Sequence, residues 1–200
     1  MRDFKRLAVY CGSSNSVPSK YLEAARDMGR TLARRGIEVV FGGGHVGLMG
    51  AVADAALEAG ARVHGVIPTK LFELELGHEG VTELTVVNTM HERKMKMASL
   101  ADGFVALPGG WGTLEELFEV VTWTQLGYHE KPVGLLNVDG FYDSLLDFVA
   151  RASGDGFIRP PHRELIQHDA DPEALLDKLA NVSLPRFEDL ARLVGRSAGR

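Results

Sequence analysis

Short runs of apolar residues alternate along the chain with longer segments in which apolar residues recur at helical spacing. The apolar runs cover residues 7–11, 37–41, 62–67, 84–87, 103–107 and 133–136. Most of these runs lack alternating polar positions, which is typical of parallel strands that are covered on both faces. The pattern therefore predicts six strands of one parallel sheet, and a seventh short strand at residues 165–167.

The intervening segments predict helices at residues 19–35, 47–59, 90–101, 113–126 and 141–152, with one more at residues 172–179. Pro18 suits a first helical turn, and Gly36 and Gly60 stand where C-terminal caps are expected. Regular alternation of strand and helix requires right-handed crossovers. We therefore predict an α/β fold: a doubly wound parallel sheet of about seven strands flanked by helices.

Two segments do not follow this alternation. Residues 68–80 form the longest connection without periodicity, with leucines among glutamates, and we predict a surface loop or short helix beside the site. After Leu184 there is one short amphipathic piece, 187–194, and then residues 195–200, which we expect to be disordered. Because no repeat or linker is visible, we predict a single domain at 1–183 and a partly disordered tail at 184–200.

Composition narrows the class of protein. Two hundred residues with 45% hydrophobic content are enough for one domain with a sizeable core, and no run of eighteen apolar residues is present. The single cysteine, Cys11, cannot form an internal disulfide, which fits a reducing compartment. We expect a buried structural thiol there, and a cytoplasmic protein that is not embedded in a membrane. The net charge of −5 argues against broad nucleic-acid binding.

Loops rich in small residues follow three of the predicted strands, at residues 11–14, 42–47 and 108–116. In a parallel sheet all three fall on the carboxyl edge, where open α/β sheets bind ligands. One such loop can simply make a tight turn, but three at the same edge favour a phosphate or nucleotide site. The second loop has G-x-x-G spacing from Gly44 to Gly47, but no acidic residue marks a ribose at the end of a following strand, and no P-loop is present, so the pattern favours a mononucleotide.

The third loop carries the most chemistry, with the sequence Pro-Gly-Gly-Trp-Gly-Thr-Leu-Glu-Glu from Pro108 to Glu116. Its glycines allow backbone N–H groups to approach an anion closely at the start of a helix. Thr113 and Glu116 have the spacing of a capping box, so Glu116 can be a capping residue. A carboxylate beside a phosphate site can also be there for the reaction, and both interpretations stay open.

The helix at 90–101 precedes the strand that leads into this loop. Met90, Met97 and Ala101 mark one apolar stripe, and Arg93 and Lys94 are expected to flank it. A cation beside a buried stripe commonly extends to solvent, but here Arg93 can also meet a phosphate or carboxylate at the same edge. The seven histidines lack metal-ligand spacing, so no metal site is predicted.

Three motifs together resemble the LONELY GUY family of cytokinin riboside 5′-monophosphate phosphoribohydrolases, once widely labelled lysine decarboxylases. They are P-G-G-x-G-T-x-x-E at 108–116, M-H-x-R-K at 90–94 and G-G-G-x-V-G-L-M-G at 42–50. The resemblance covers residues 7 to 179 and implies a Rossmann-like homodimer without a cofactor. It implies cleavage of the N-glycosidic bond of an N6-modified AMP, with AMP itself as a further candidate substrate, to free base and ribose 5-phosphate.

The resemblance also implies the site residues. Arg93 and Glu116 correspond to the catalytic pair. Substrate contacts correspond to Gly43, Gly44, Glu75, Met90, Lys94, Gly109, Gly110, Trp111, Gly112, Thr113, Leu114, Glu115 and Thr122. Two alternatives remain: a nucleosidase with broader specificity for nucleotide 5′-monophosphates, and a non-catalytic carrier of a nucleotide or of molybdenum cofactor.

Overall fold

Seven parallel strands form one sheet in the computed structural model, which describes residues 1–74 and 77–185. The strands are β1 (Arg6–Tyr10), β2 (Glu38–Phe41), β3 (Val63–Pro68), β4 (Glu83–Val87), β5 (Gly103–Ala106), β6 (Val133–Leu136) and β7 (Ile166–Asp169). Their order across the sheet is β4-β3-β2-β1-β5-β6-β7. The direction of winding reverses between β1 and β5, which confirms the doubly wound, Rossmann-like α/β fold.

The helices are α1 (Ser19–Arg34), α2 (Gly47–Glu58), α3 (Thr69–Phe72), α4 (Met90–Leu100), α5 (Trp111–Gln125), α6 (Asp143–Gly154) and α7 (Pro172–Asn181). The short α3 lies within the segment predicted as a loop or short helix. α6 begins two residues later than predicted, because a 3₁₀ turn at Val138–Gly140 comes first. The side chain of Asn137 fixes this turn by accepting a hydrogen bond from the Tyr142 N–H at 2.7 Å.

The sheet separates two apolar cores. On one face α1, α2 and α7 pack through residues such as Met28, Val52 and Leu176, all almost fully buried. On the other face α4, α5 and α6 cover Phe104 and Leu135. Strands covered on both sides need apolar residues at every position, which explains the continuous runs in the sequence.

The edges of the sheet depart from this pattern. β4 lies at one edge and is only partly buried, and its residues Glu83 and Val86 are exposed. His64 on the neighbouring β3 is buried, and its ring nitrogens face the carboxylates of Glu38 and Glu83 at 2.8 and 3.4 Å. No helix among the described residues is both long and apolar enough to cross a bilayer. The predicted amphipathic piece and disordered end at 187–200 lie outside the described residues, and the domain boundary at 183 stays a prediction.

Candidate active site

A cavity of about 530 Å³ opens at the carboxyl edge of the sheet, where the winding reverses. The end of β1 and its loop form one wall, and the loop after β2 forms another. The first turns of α4 and α5 contribute the side chains of Arg93 and Glu116. All three glycine-containing loops therefore meet at this cavity, as the sequence predicts for a parallel sheet.

α5 begins at Trp111, two residues earlier than predicted, with Gly110 as its N-cap and no side chain capping it. The first N–H groups of the helix consequently have no acceptor within the helix and are available to an anion. Gly109 is required next to them, because a Cβ at this position would overlap the Thr113 hydroxyl and lie 2.9 Å from the Gly12 nitrogen. A tight glycine turn thus brings the start of the helix against the loop after β1.

The predicted capping box at Thr113 and Glu116 is wrong. Thr113 is the third residue of α5 and is buried, so its hydroxyl is not at the N-cap position. The capping interaction belongs to α4, where the Thr89 hydroxyl accepts a hydrogen bond from the Glu92 N–H at 3.1 Å. Glu92 in turn accepts a hydrogen bond from the Asn88 N–H at 2.9 Å. Glu116 is therefore free of any capping role.

The first turn of α4 differs from the predicted stripe. Met97 and Ala101 are buried, but Met90 is 46% exposed and lines the cavity. Arg93 and Lys94, which were expected to flank the stripe, are both buried. A buried cation needs partners, because transfer of an unpaired charge from water is costly. The contacts of these two side chains therefore define the site.

Arg93 is held by backbone carbonyl groups. Its Nε donates to the Val66 carbonyl and its Nη2 donates to the Gly42 carbonyl, both at 3.2 Å. Gly42 lies directly beneath the guanidinium, where any Cβ would overlap Nη2. Since carbonyl groups are neutral, they orient Arg93 without cancelling its charge, and its Nη1 lies 3.9 Å from Oε1 of Glu116.

Glu116 is a buried carboxyl group with little to stabilise its charge. Burial raises its pKa to about 7, Arg93 opposes that rise and Glu115 adds to it. The described residues donate no hydrogen bond to Glu116. Perturbed acids in a cleft, close to a cation, are typical of catalytic sites. The group can change its protonation state near neutral pH and faces the cavity beside the anion-binding turn.

Lys94 does not line the cavity and is paired with carboxylates instead. Its Nζ contacts Oε1 of Glu115 at 2.5 Å and Oε1 of Glu119 at 3.0 Å. Burial disfavours the charge of Lys94, but these hydrogen bonds outweigh it and raise its pKa. The side chain therefore joins α4 to α5 rather than reaching into the cavity.

The cavity gathers most, but not all, of the residues that the resemblance implies. Those lining it are Gly44, Met90, Arg93, Gly110, Trp111, Gly112, Thr113, Glu115 and Glu116. Gly43, Lys94, Gly109, Leu114 and Thr122 do not line it. Thr122 is exposed, and its hydroxyl donates a hydrogen bond to the Phe118 carbonyl of its own helix. Glu75 lies outside the described residues.

Several lining residues were not among the predicted substrate contacts, although some of them belong to the small-residue loops at 11–14 and 42–47. They are Val9, Tyr10, Cys11, Gly12, Ser13, Gly42, Val46, Met49, Ile67 and Leu71. Tyr10 and Cys11 lie at the end of β1, so they could have been predicted from the rule that ligands bind at the carboxyl ends of strands. Cys11 is buried as expected, and burial raises the pKa of its thiol. Ile67 and Leu71 had no signal, because apolar residues near a strand end look like core.

Residues 49–179 match a protein family described as "Possible lysine decarboxylase". The chain is 53% identical over 176 residues to a probable cytokinin riboside 5′-monophosphate phosphoribohydrolase of Oryza sativa subsp. japonica, covering 88% of this chain and 78% of that protein. It is 52% identical to a cytokinin riboside 5′-monophosphate phosphoribohydrolase of Arabidopsis thaliana, covering 88% and 82%.

Solved structures share the fold at much lower identity. A molybdenum cofactor binding protein from Rippkaea orientalis superimposes with a TM-score of 0.67 at 23% identity, over 88% of this chain and 95% of that one. A molybdenum cofactor carrier protein from Chlamydomonas reinhardtii gives 0.67 at 22% identity, over 88% and 98%. At such identities the likeness concerns the fold alone.

Proposed function

The chain belongs to the LONELY GUY family of cytokinin riboside 5′-monophosphate phosphoribohydrolases, and we propose that it hydrolyses the N-glycosidic bond of these nucleotides. The products are the free N6-modified base and ribose 5-phosphate. The observation that carries the proposal is the buried pair of Arg93 and Glu116, 3.9 Å apart, in the cavity beside the glycine turn of α5.

In the proposed reaction each part of the site has a distinct role. The free N–H groups at the start of α5 bind the 5′-phosphate, so that remote binding energy holds the ribose in place. The C1′–N bond then breaks with its electron pair leaving on the base, and charge develops on the sugar as in other glycoside cleavages. Ionised Glu116 stabilises that positive charge and orients the water whose oxygen bonds to C1′, and the proton that this water releases neutralises the departing base.

Arg93 is the second member of the proposed catalytic pair. Its two bonds to backbone carbonyls fix the guanidinium plane, and its remaining nitrogen faces Glu116 across a gap too long for a hydrogen bond. Both groups consequently keep bonding capacity for a substrate. Arg93 is placed to lower the pKa of Glu116 and to hold either the phosphate or the departing base.

The test is incubation with N6-isopentenyl-AMP, followed by assay of free base and of ribose 5-phosphate in equal amounts. AMP and unrelated nucleotide 5′-monophosphates at the same concentration measure breadth, because a nucleosidase of broad specificity would cleave them equally well. Glu116→Ala is expected to abolish turnover while the circular dichroism spectrum is unchanged. Absence of both products from the wild-type protein would refute the proposal.

The carrier alternative has only the fold to support it. In the same assay it predicts tight nucleotide binding without release of base, and it gives no task to a buried carboxylate next to an arginine. The phosphoribohydrolase function is favoured because relatives with about half of their residues identical carry that name.

We also propose that the protein is a cytoplasmic homodimer. Exposed apolar side chains support the dimer: Trp111, Phe118 and Leu126 are 89%, 41% and 48% exposed and recur along α5 at a spacing that puts them on one face. Thr122 lies on the same face. An apolar stripe of this kind on one helix is the type of surface that a second copy can cover.

A further inference from the structure

The face of α5 that meets α4 carries three carboxylates within five residues: Glu115, Glu116 and Glu119. Two buried cations on α4 face these carboxylates, and each cation has different partners. Arg93 faces Glu116, whereas Lys94 binds both Glu115 and Glu119. Because like charges in a poorly solvated site disfavour one another's ionisation, the ionisation of Glu116 depends on how far the charges of Glu115 and Glu119 are compensated.

Lys94 does not line the cavity in this arrangement, although its partner Glu115 does. Lys94 is 8% exposed, and its ammonium group already has two carboxylate partners. The carboxylates of Glu115 and Glu119 flank Glu116 along the helix, one residue before it and three after it. A cation that offsets part of their negative charge therefore favours the ionisation of Glu116 without contacting it.

We propose that Lys94 is a positioning residue for the reaction: by offsetting part of the negative charge of Glu115 and Glu119 it allows Glu116 to carry its negative charge at neutral pH. The proposal rests on the proposed function, in which ionised Glu116 stabilises the sugar cation. It gives Lys94 a task different from the substrate contact that the resemblance implies. It also gives a task to Glu119, which completes the bridge between α4 and α5.

Other titratable groups near Glu116 can also influence its ionisation. From β1, the buried Tyr10 and Cys11 face it, and burial raises the pKa of both, so they are neutral at physiological pH. From α4, the charged groups are Arg93 and Lys94, and from its own helix they are Glu115 and Glu119. Of these four residues, Lys94 and Glu119 can each be changed without removing the contact between Arg93 and Glu116.

The experiment measures kcat and KM for N6-isopentenyl-AMP from pH 5 to 9. Lys94→Met leaves two uncompensated carboxylates beside Glu116, so the acid limb of the kcat profile should move up by about one pH unit. At pH 6 this is an approximately tenfold loss of kcat that disappears at high pH. Lys94→Arg keeps the charge and should retain the wild-type limb. Lys96→Met is the control, because Lys96 is exposed on the same helix.

A second variant moves the limb in the opposite direction. Glu119→Gln removes one negative charge and leaves Lys94 bound to Glu115, so the limb should shift to lower pH. The double variant Lys94→Met with Glu119→Gln should return toward the wild-type profile. A merely structural role for Lys94 predicts neither the opposite signs nor the recovery, and Glu119→Gln alone tests the charge effect if Lys94→Met does not fold.

Two results would overturn the proposal. One is an unchanged acid limb in both single variants. The other is a rise in KM for Lys94→Met at every pH with kcat unchanged, which would mean that Lys94 holds the nucleotide. If the wild-type protein cleaves no nucleotide, the proposed function fails separately. The charge effect is then read from the ¹³C titration of the Glu116 carboxyl, assigned with Glu116→Gln; a midpoint that is the same in wild type and Lys94→Met overturns it.

Discussion

At the scale of single residues, Glu116 is where the site lowers the free energy of unfolding. Its carboxyl is buried without a hydrogen bond from the described residues, and burial raises its pKa to about 7 from a usual value of 4.5. The unfolded chain therefore loses the Glu116 proton at a lower pH than the folded protein does. Between those two pH values stability falls as pH rises, and the whole loss is present above pH 7.

Glu116→Gln removes this titration while keeping the shape of the side chain. We expect the variant to match the wild type near pH 4.5 and to become more stable by about 1–3 kcal/mol above pH 7. Urea unfolding at several pH values measures the difference, and Glu23→Gln, at an exposed position of α1, gives the background. A gap between the two curves that does not widen between pH 4.5 and 7 would contradict the burial argument.

At the scale of elements, the loop after β2 and the first turn of α4 form one unit. Gly42 offers its carbonyl to Arg93 and, lacking a Cβ, leaves room for the guanidinium above it. Its backbone has no positive φ, so alanine is conformationally allowed there and only the space is missing. The position thus separates a steric demand from a backbone demand.

Gly42→Ala should therefore fold but push the Arg93 guanidinium out of place. A misplacement of about 1 Å in such a group costs roughly 100-fold in activity. We expect a loss of that order in kcat/KM with a thermal midpoint close to the wild-type value. Gly154→Ala, where a Cβ meets nothing within 4 Å, is the matched control. Full activity of Gly42→Ala would show that Arg93 need not sit over this residue.

How far the sequence predicts these elements depends on the kind of signal. Strands and helices were predicted to within about two residues, because apolar runs and caps are local properties. The capping box at Thr113 was wrong because two glycine-allowed contacts at Gly109 let the helix start earlier. The burial of Lys94 was not visible either, since its partners lie 21 and 25 residues further on. Such pairing is set by packing between helices and not by spacing along one.

At the scale of the whole molecule, the two faces of the sheet have different tasks. α1, α2 and α7 close one core, whereas α4 and α5 supply the proposed catalytic pair and, on the outer side of α5, the exposed apolar stripe. One helix consequently takes part in the cavity at its first turn and in the proposed dimer along its length. A contact that holds α5 from outside would also steady the position of Glu116.

Phe118→Asp tests this link between assembly and site. A charge placed in an apolar contact between two copies must be desolvated, so the dimer should weaken at least tenfold by sedimentation equilibrium. Phe157→Asp is the control, because Phe157 is 86% exposed and lies outside the helices. If the stripe is the interface, kcat/KM of the Phe118 variant should also fall at protein concentrations where it is monomeric, and recover as concentration rises. A wild-type dimerisation constant for Phe118→Asp would place the interface elsewhere.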